Sequence, residues 1–374
     1  SLGRLQLDWN YHAAVRMEHD LRRSVIAITG TGCEGKLCVE IRAHKELDVF
    51  RIDVVDRRQE SPPLNLHLRK DYSFEDRVEG DTYLSWHINR SSIYRSVNEQ
   101  CGVDLTGVTQ DFLLGRCFGT AMAIDVQDGS AQWASGFYET SAKGRLTIWI
   151  AAGANIEGFE AWRGDVLARL AQARAMGDTF IASHEAWWRE FWLRSHLEFP
   201  DDDGTHLNNQ AAFDLYRYYL ACSADRRREI PVRFLNDVLR YNEQQVTWSL
   251  MDITSIETYQ ALYGAMRTGD QSALASRLEF YVRALPVFRR HSRRRFAHAG
   301  SVAPYETNTW GTWLHWRGKV DYYTEERSPY LRYSWQGNLW MLVLFCDYAM
   351  LSDDRQLIDE GLPAYATDVL TFFQ

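Results

Sequence analysis

The stretch His184–Ser195, "HEAWWREFWLRS", decides the architecture. Trp188 and Trp192 stand one helical turn apart, as do Trp187 and Phe191, so the four rings make a wide stripe on a helix. A stripe this rich in aromatic rings is a packing surface. We read the segment as a connector, an aromatic helix packed between two domains. Working outward, the sequence changes its period on either side of it.

Upstream the chain reads as β. Ser24–Thr29, Leu37–Arg42 and Leu47–Val55 are short runs rich in Val, Ile and Phe, and in the last of these Val49 and Arg51 alternate with Phe50 and Ile52. Gly30-Thr31-Gly32, Gly35 and Ser61-Pro62-Pro63 punctuate them. Thr82–Ile88, Arg116–Val126 and Leu146–Ala151 continue the pattern. Strands at this spacing predict a large antiparallel sandwich. From about Ile156 the period becomes helical, over Phe159–Ala175 and Thr179–Arg194.

Downstream, after Pro200-Asp201-Asp202-Asp203-Gly204, helices are predicted near Leu207–Asp225, Thr247–Met266, Gln271–His291, Tyr333–Leu351 and Asp354–Phe373. The domains expected are therefore a sandwich over 1–155, a helical linker over 156–200 and a helical domain over 201–374. Two long loops interrupt the helices, Arg228–Val246 and Arg294–Arg332, and loops of that length inside a domain are usually functional or disordered. They hold Asn236, Asp237, Glu306, Trp310, Trp313, His315 and Trp316, a composition ill suited to disorder.

The 374 residues carry a net charge of −8 and include 14 Trp and 19 Tyr. Aromatic residues at that density suit a carbohydrate site as well as a core. The densest basic run, Arg289–Arg295, is short and reads as a solvated helix end, so nucleic acid is disfavoured as a partner. No apolar run reaches the length of a membrane span. No His-x-x-x-His or Glu-x-x-His pair implies a metal, and Gly30, Gly32 and Gly35 lie in a turn with no helix after it to hold a phosphate; no cofactor is expected. Cys33 and Cys38 flank "EGKL" and form either a hairpin bridge or two thiols. The chain opens at Ser1 without a signal-peptide pattern and stops at Gln374 within a predicted helix; both ends read as cut, so a missing leader says nothing of export.

The order of motifs resembles the six-hairpin glycosidases, and within them most nearly glycoside hydrolase family 95, the α-L-fucosidase group. A bacterial group with a domain of unknown function ahead of the toroid is similar too. "LSWHINRSS" is similar to a His-x-Asn-x-x-Ser pattern through His87, Asn89 and Ser92, followed by Gln100-Cys101-Gly102 and by "LLGRCFG" at Leu113–Gly119. "HEAWWREFWLRS" resembles the family's linker helix, "LYRYYLACS" its first toroid helix, "IPVRFLND" the substrate loop and "GSVAPYETNTWG" the loop carrying an acid. The resemblance runs from about residue 80 to the end. It implies an antiparallel β-(super)sandwich, a helical linker and an incomplete (α/α)6 toroid, with secretion or a periplasmic location and a carbohydrate substrate. The second catalytic carboxylate is expected beyond Gln374. The sequence departs from the family at "TSIETYQALY", where Ile256, Glu257 and Tyr259 stand in place of an Asn- and Arg-containing patch.

Glu306 is then the candidate general acid of an inverting glycosidase, set near Tyr305, Trp310 and Trp313; the plainer alternative is a structural or sugar-binding carboxylate. Asn236 and Asp237 are candidates for sugar hydroxyls or for a turn or helix cap, and Trp310 and Trp313 for stacking, with His315 beside them. Asp252 and Glu257 are further candidates on a predicted helix. Trp335 and Trp340 read as core, and His87 and Asn89 as stabilisers of the domain junction. Two other functions compete: a carbohydrate-binding protein without turnover, and a polysaccharide lyase using Tyr305, Tyr322 and Arg317.

Overall fold

A computed structural model of the chain describes residues 4–8, 14–32, 35–59, 64–69, 74–92, 94–95, 103–127, 131–134, 137–140, 144–195, 197–198, 206–223, 263–264, 266–304, 307, 310–312 and 335–374. The strands are β1 (Arg4–Asp8), β2 (Ala14–Asp20), β3 (Val25–Gly32), β4 (Gly35–His44), β5 (Val49–Asp56), β6 (Leu64–Arg69), β7 (Glu75–Glu79), β8 (Thr82–Ile88), β9 (Cys117–Val126), β10 (Ala131–Ala134), β11 (Phe137–Thr140) and β12 (Gly144–Asn155). The helices are α1 (Phe159–Met176), α2 (Asp178–Leu193), α3 (His206–Ser223), α4 (Ser272–Phe296), α5 (Gln336–Leu351) and α6 (Leu362–Phe373), the last preceded by a π-helical turn at Leu357–Gly361. This is the expected antiparallel β-sandwich followed by helices. No described helix is long and apolar enough to cross a membrane.

Eight strands form one antiparallel sheet in the order β2-β3-β4-β5-β12-β9-β8-β7, and four form another in the order β1-β6-β11-β10. The two-residue period sorts the large sheet's side chains into two buried layers. Leu37, Val39, Ile52, Val54, Met122, Ile124, Leu146 and Ile148 cluster with Leu64 and Leu66 of β6, which is the interior of the sandwich. Val49, Leu84, Trp86, Ala121, Ala123, Trp149 and Ala151 point to the other face and meet Trp162, Val166 and Leu170 of α1 and Phe180 of α2. Within Val49–Ile52, Val49 therefore belongs to one core and Ile52 to the other.

That second face is built to let a helix come close. Strands β9 and β12 run side by side there, with Gly119 paired to Gly153 and Ala121 to Ala151. The indole of Trp162 is fully buried over this strip and its Nε1 donates to the Gly153 carbonyl at 3.1 Å. A Cβ added at Gly119 would lie 2.1 Å from the Ser85 carbonyl oxygen and 2.9 Å from the Trp162 ring. Arginines fasten α1 at its rim: Arg163 to Glu79, Arg169 to the Ala152 carbonyl at 2.8 Å, and Arg174 to Asp81 and Asp125. Arg51 donates to the Gly177 carbonyl at 2.7 Å, where α1 turns into α2.

The aromatic stripe of α2 lies on the same unit. His184 is fully buried with Nε2 2.9 Å from the Arg23 carbonyl, and Trp192 Nε1 donates to the Leu21 carbonyl at 3.2 Å. Trp188 and Phe191 are buried with it. The chain divides into two compact units. One unit comprises 1–92 with 112–193, and the other comprises 93–111 with 194–374. The helices expected as a linker lie in the sandwich unit, where Trp192 donates to the Leu21 carbonyl and His184 lies 2.9 Å from the Arg23 carbonyl, both in the β2–β3 turn. Cys38, between the two alternatives above, carries a free thiol.

The second unit is organised around an apolar cluster from all of its described helices, including Leu220, Leu278, Tyr281, Phe288, Leu344, Phe345 and Tyr365. Within it Arg217 of α3 is fully buried; it donates to both carboxylate oxygens of Asp270, at 2.6 and 3.1 Å, and to the Ser195 carbonyl at 2.6 Å. Outward-facing positions of α5 are apolar as well: Leu339, Trp340, Val343 and Met350 are exposed, Trp340 at 46%. Trp340 is thus a surface residue and not the core residue expected.

Two outcomes are expected from this packing. Gly119→Ala will destabilise the sandwich unit by about 3 kcal/mol, since backbone and not a movable side chain blocks the added carbon, and thermal unfolding will report it. Arg217→Met will cost about 3–5 kcal/mol by leaving Asp270 charged and buried alone, with Asp270→Asn in the same chain recovering much of it.

Candidate functional site

The stretch "GSVAPYETNTWG" is pinned at both ends in the helical unit. At its start Gly300 has φ +76°, and a Cβ there would meet the Asp368 carbonyl oxygen at 2.4 Å and the Phe372 nitrogen at 2.5 Å. Only glycine fits so close to the backbone of α6. Ser301 N–H donates to the Asp368 carbonyl at 3.0 Å, and the Asp368 carboxylate accepts from Arg289 of α4 at 2.6 Å. Val302 N–H donates to Ser292 Oγ at 2.8 Å, and that hydroxyl donates to the Phe288 carbonyl at 3.0 Å. Asn338 of α5 bonds both sides of Ala303: it accepts from the Ala303 N–H at 2.8 Å and donates to the Ala303 carbonyl at 3.2 Å.

Beyond Pro304 the described residues are also internal. Thr307 is fully buried with its hydroxyl donating to the Pro304 carbonyl at 2.9 Å, and Thr312 is 1% exposed. Gly311 has φ +82° and lies against α4, where a Cβ would meet Ala284 at 3.1 Å. Trp310 is 4% exposed and packs on Tyr94 with ring centroids 5.0 Å apart. A stacking platform needs an open face. Trp310 has none, so in this structure it is a packing residue that anchors the loop. Burial, with the nearby Asp111 and Asp104 carboxylates, pushes the Tyr94 phenol up to about 12.

Of the residues expected at the site, Glu306, Asn236, Asp237, Trp313, His315, Asp252 and Glu257 lie outside the described residues, as do Tyr305, Tyr322 and Arg317. The described neighbours of Glu306, Pro304 and Thr307, belong to the pinned part of the loop. Among the sandwich positions of the resemblance, His87 packs between Phe74 and Phe118, with centroids 5.7 and 5.3 Å away. Asn89 uses its backbone to hold Gly115 and Arg116, at 2.9 and 3.0 Å, so that "LSWHINRSS" and "LLGRCFG" are joined within the sandwich unit. Sequence reasoning overlooked Asn338 and Ser292. Asn338 stands directly before the apolar run "LWMLVLF" and Ser292 inside a run otherwise of Arg and His, which marks both as out of place but does not reveal their partners.

Neither a protein-family model nor a curated protein sequence matches the chain. Solved structures do. A candidate kojibiose phosphorylase from the human microbiome superposes with a TM-score of 0.65 at 11% identity, over 99% of this chain and 48% of that one. The fold of this chain is therefore shared with about half of that protein. A bacterial glucoamylase complexed with acarbose aligns at TM-score 0.46 and 12% identity, over 90% of this chain and 49% of that one. A family 92 α-mannosidase from Bacteroides thetaiotaomicron aligns at 0.34 and 11%, over 93% and 45%. The chain spans about half the length of the structures it matches. At 11% identity the similarity to the candidate kojibiose phosphorylase is one of fold alone, and family 95 is not singled out.

His291, adjoining Ser292 on α4, is buried, and burial with Arg295 nearby pushes its imidazole down to about 3. His184 in the sandwich unit is shifted in the same direction, by burial first. A histidine kept neutral in the fold gives stability that is full above the unfolded value of 6.5 and is lost as pH falls from there toward the folded value. The unfolding free energy from urea titrations should therefore decline between pH 6.5 and 3, by up to about 1.4 kcal/mol per pH unit for one such group. In His291→Gln the decline will be shallower. Trp310→Ala will cost about 3–5 kcal/mol of stability in the same assay, as an interior indole does.

Proposed function

We propose that this chain belongs to an enzyme that removes a terminal sugar from an oligo- or polysaccharide with inversion, and that Glu306 is its general acid. The observation that carries the reading is the loop around Glu306, whose flanks are buried and bonded to three helices instead of lying loosely at the surface. An acid that must meet a glycosidic oxygen in one geometry benefits from a backbone already held in place. Its proton would pass to the leaving oxygen as the bond to the anomeric carbon breaks. A second carboxylate would draw a proton from water on the opposite face, the pair standing roughly 6.5–9.5 Å apart. We place that base in the part of the fold this chain does not span. Trp313 and His315 are the proposed contacts to the apolar and hydroxyl faces of the sugar, with Asn236, Asp237, Asp252 and Glu257 as further polar partners.

The likeness to a candidate kojibiose phosphorylase favours one second reading, in which inorganic phosphate replaces water as the nucleophile. The acid's role is unchanged in that case, and the carboxylate base is dispensable because phosphate is already an anion. A fucoside-specific hydrolase is the narrower form of the first reading, drawn from the motif order alone.

Hydrolysis of an aryl-glycoside panel, α-L-fucoside, β-L-arabinoside and galactosides included, with and without inorganic phosphate, tests these together. We expect turnover on one member and a loss of about 10²–10⁴-fold in Glu306→Gln. Turnover that requires phosphate selects phosphorolysis. Full turnover in Glu306→Gln removes Glu306 from the mechanism, and sugar binding with no turnover on any member leaves a binding protein.

A further inference from the structure

Two polar side chains in the helical unit are placed where apolar ones would be expected. Asn338 is 4% exposed in a helix whose other inward residues are Met341, Leu344, Phe345 and Tyr348, and Ser292 is fully buried among the inward residues of α4. A buried amide or hydroxyl is unfavourable unless its hydrogen bonds are made. Both make theirs to consecutive backbone groups of a single segment: Ser292 takes the Val302 N–H, and Asn338 takes the N–H and gives to the carbonyl of Ala303. The Asn338 amide thereby pairs with Ala303 as a neighbouring strand would, from the side of a helix. The same segment is held from α6 through Ser301 and the close approach of Gly300 to Asp368. Three helices thus fix residues 300–303, just ahead of Glu306, and none of these bonds serves the hydrogen bonding of its own helix except Ser292 to Phe288.

We infer that Asn338 and Ser292 are positioning residues for the candidate acid: they lock Val302 and Ala303, so that the chain leads toward Glu306 from one fixed backbone. This rests on the reading of Glu306 as the acid. A lock of this kind acts on the step in which the proton is delivered, and less on the affinity for sugar, because it adds no contact to the ligand. Removing it leaves the acid present and its chemistry intact, but frees the backbone of residues 300–303 that leads to it.

The test uses the full chain with Ser292→Ala, which keeps volume and helix propensity, and Asn338→Ala, each alone and combined with Glu306→Gln. Amide hydrogen exchange of the segment 300–304 is measured by mass spectrometry beside kcat and KM. We expect exchange in that segment to rise about tenfold or more while the sandwich unit keeps its protection. In the same variants kcat should fall about 10- to 100-fold with KM within about threefold, and should fall no further in the Glu306→Gln background. Unchanged exchange overturns the lock, whether or not a substrate is found. Unchanged kcat in the lock variants while Glu306→Gln is inactive overturns the positioning role alone. An equal fall of kcat with and without Glu306 shows that the two residues act elsewhere. Full turnover in Glu306→Gln is the separate failure of the acid reading, recognisable because that variant, and not the lock variants, gives it.

Discussion

Everything in the sandwich unit follows from a sheet that is apolar on both faces. An antiparallel sheet of eight strands ordinarily leaves one face to water. Here Trp86, Trp149 and Leu84 occupy the second face, and burying them requires a layer as large as the sandwich partner on the first. Helices α1 and α2 provide it, and they sit low because glycine and alanine, not larger residues, lie beneath Trp162. The arginine contacts at the rim then fix rotation, since an indole on a flat strip of small residues has little lateral purchase of its own. Most of these pairs are partly exposed and add little stability individually. Their value is in choosing one seating for the helix.

How much of this was legible in the sequence depended on whether an element has a buried face. Thr82–Ile88 was read residue for residue, and α1 and α2 to within one or two residues, because apolar periodicity records burial directly. Strand β2, "AVRMEHD", alternates Val15 and Met17 with Arg16 and Glu18, but it lies exposed at the sheet's edge, so that alternation records no buried face. Strand β7, "EDRVE", is hidden for the same reason at the opposite edge. The short strands β10 and β11 offer four residues each, fewer than a period needs to declare itself. What a buried helix packs against is a separate question. An aromatic stripe says that a helix is buried, and nothing in its spacing says against what.

The candidate site was legible by residue type more than by geometry. Trp310 and Trp313 are indistinguishable in sequence, since an indole in a polar loop suits both stacking and anchoring. The structure separates the first of them by enclosing it against Tyr94. Conversely, the groups that organise the loop stand far from it in sequence. Asn338 lies 35 residues from Ala303, and a backbone-to-side-chain bond over that separation leaves no local pattern to find. Arg217 and Asp270 are 53 apart, and only the fully buried guanidinium reveals that they belong together.

The outer face of α5 has a consequence for how this polypeptide behaves in solution. Leu339, Trp340, Val343 and Met350 form a ridge with the chemistry of a core and the accessibility of a surface. Two such ridges brought together would remove apolar area from water, so self-association of this chain by itself would rise with its concentration.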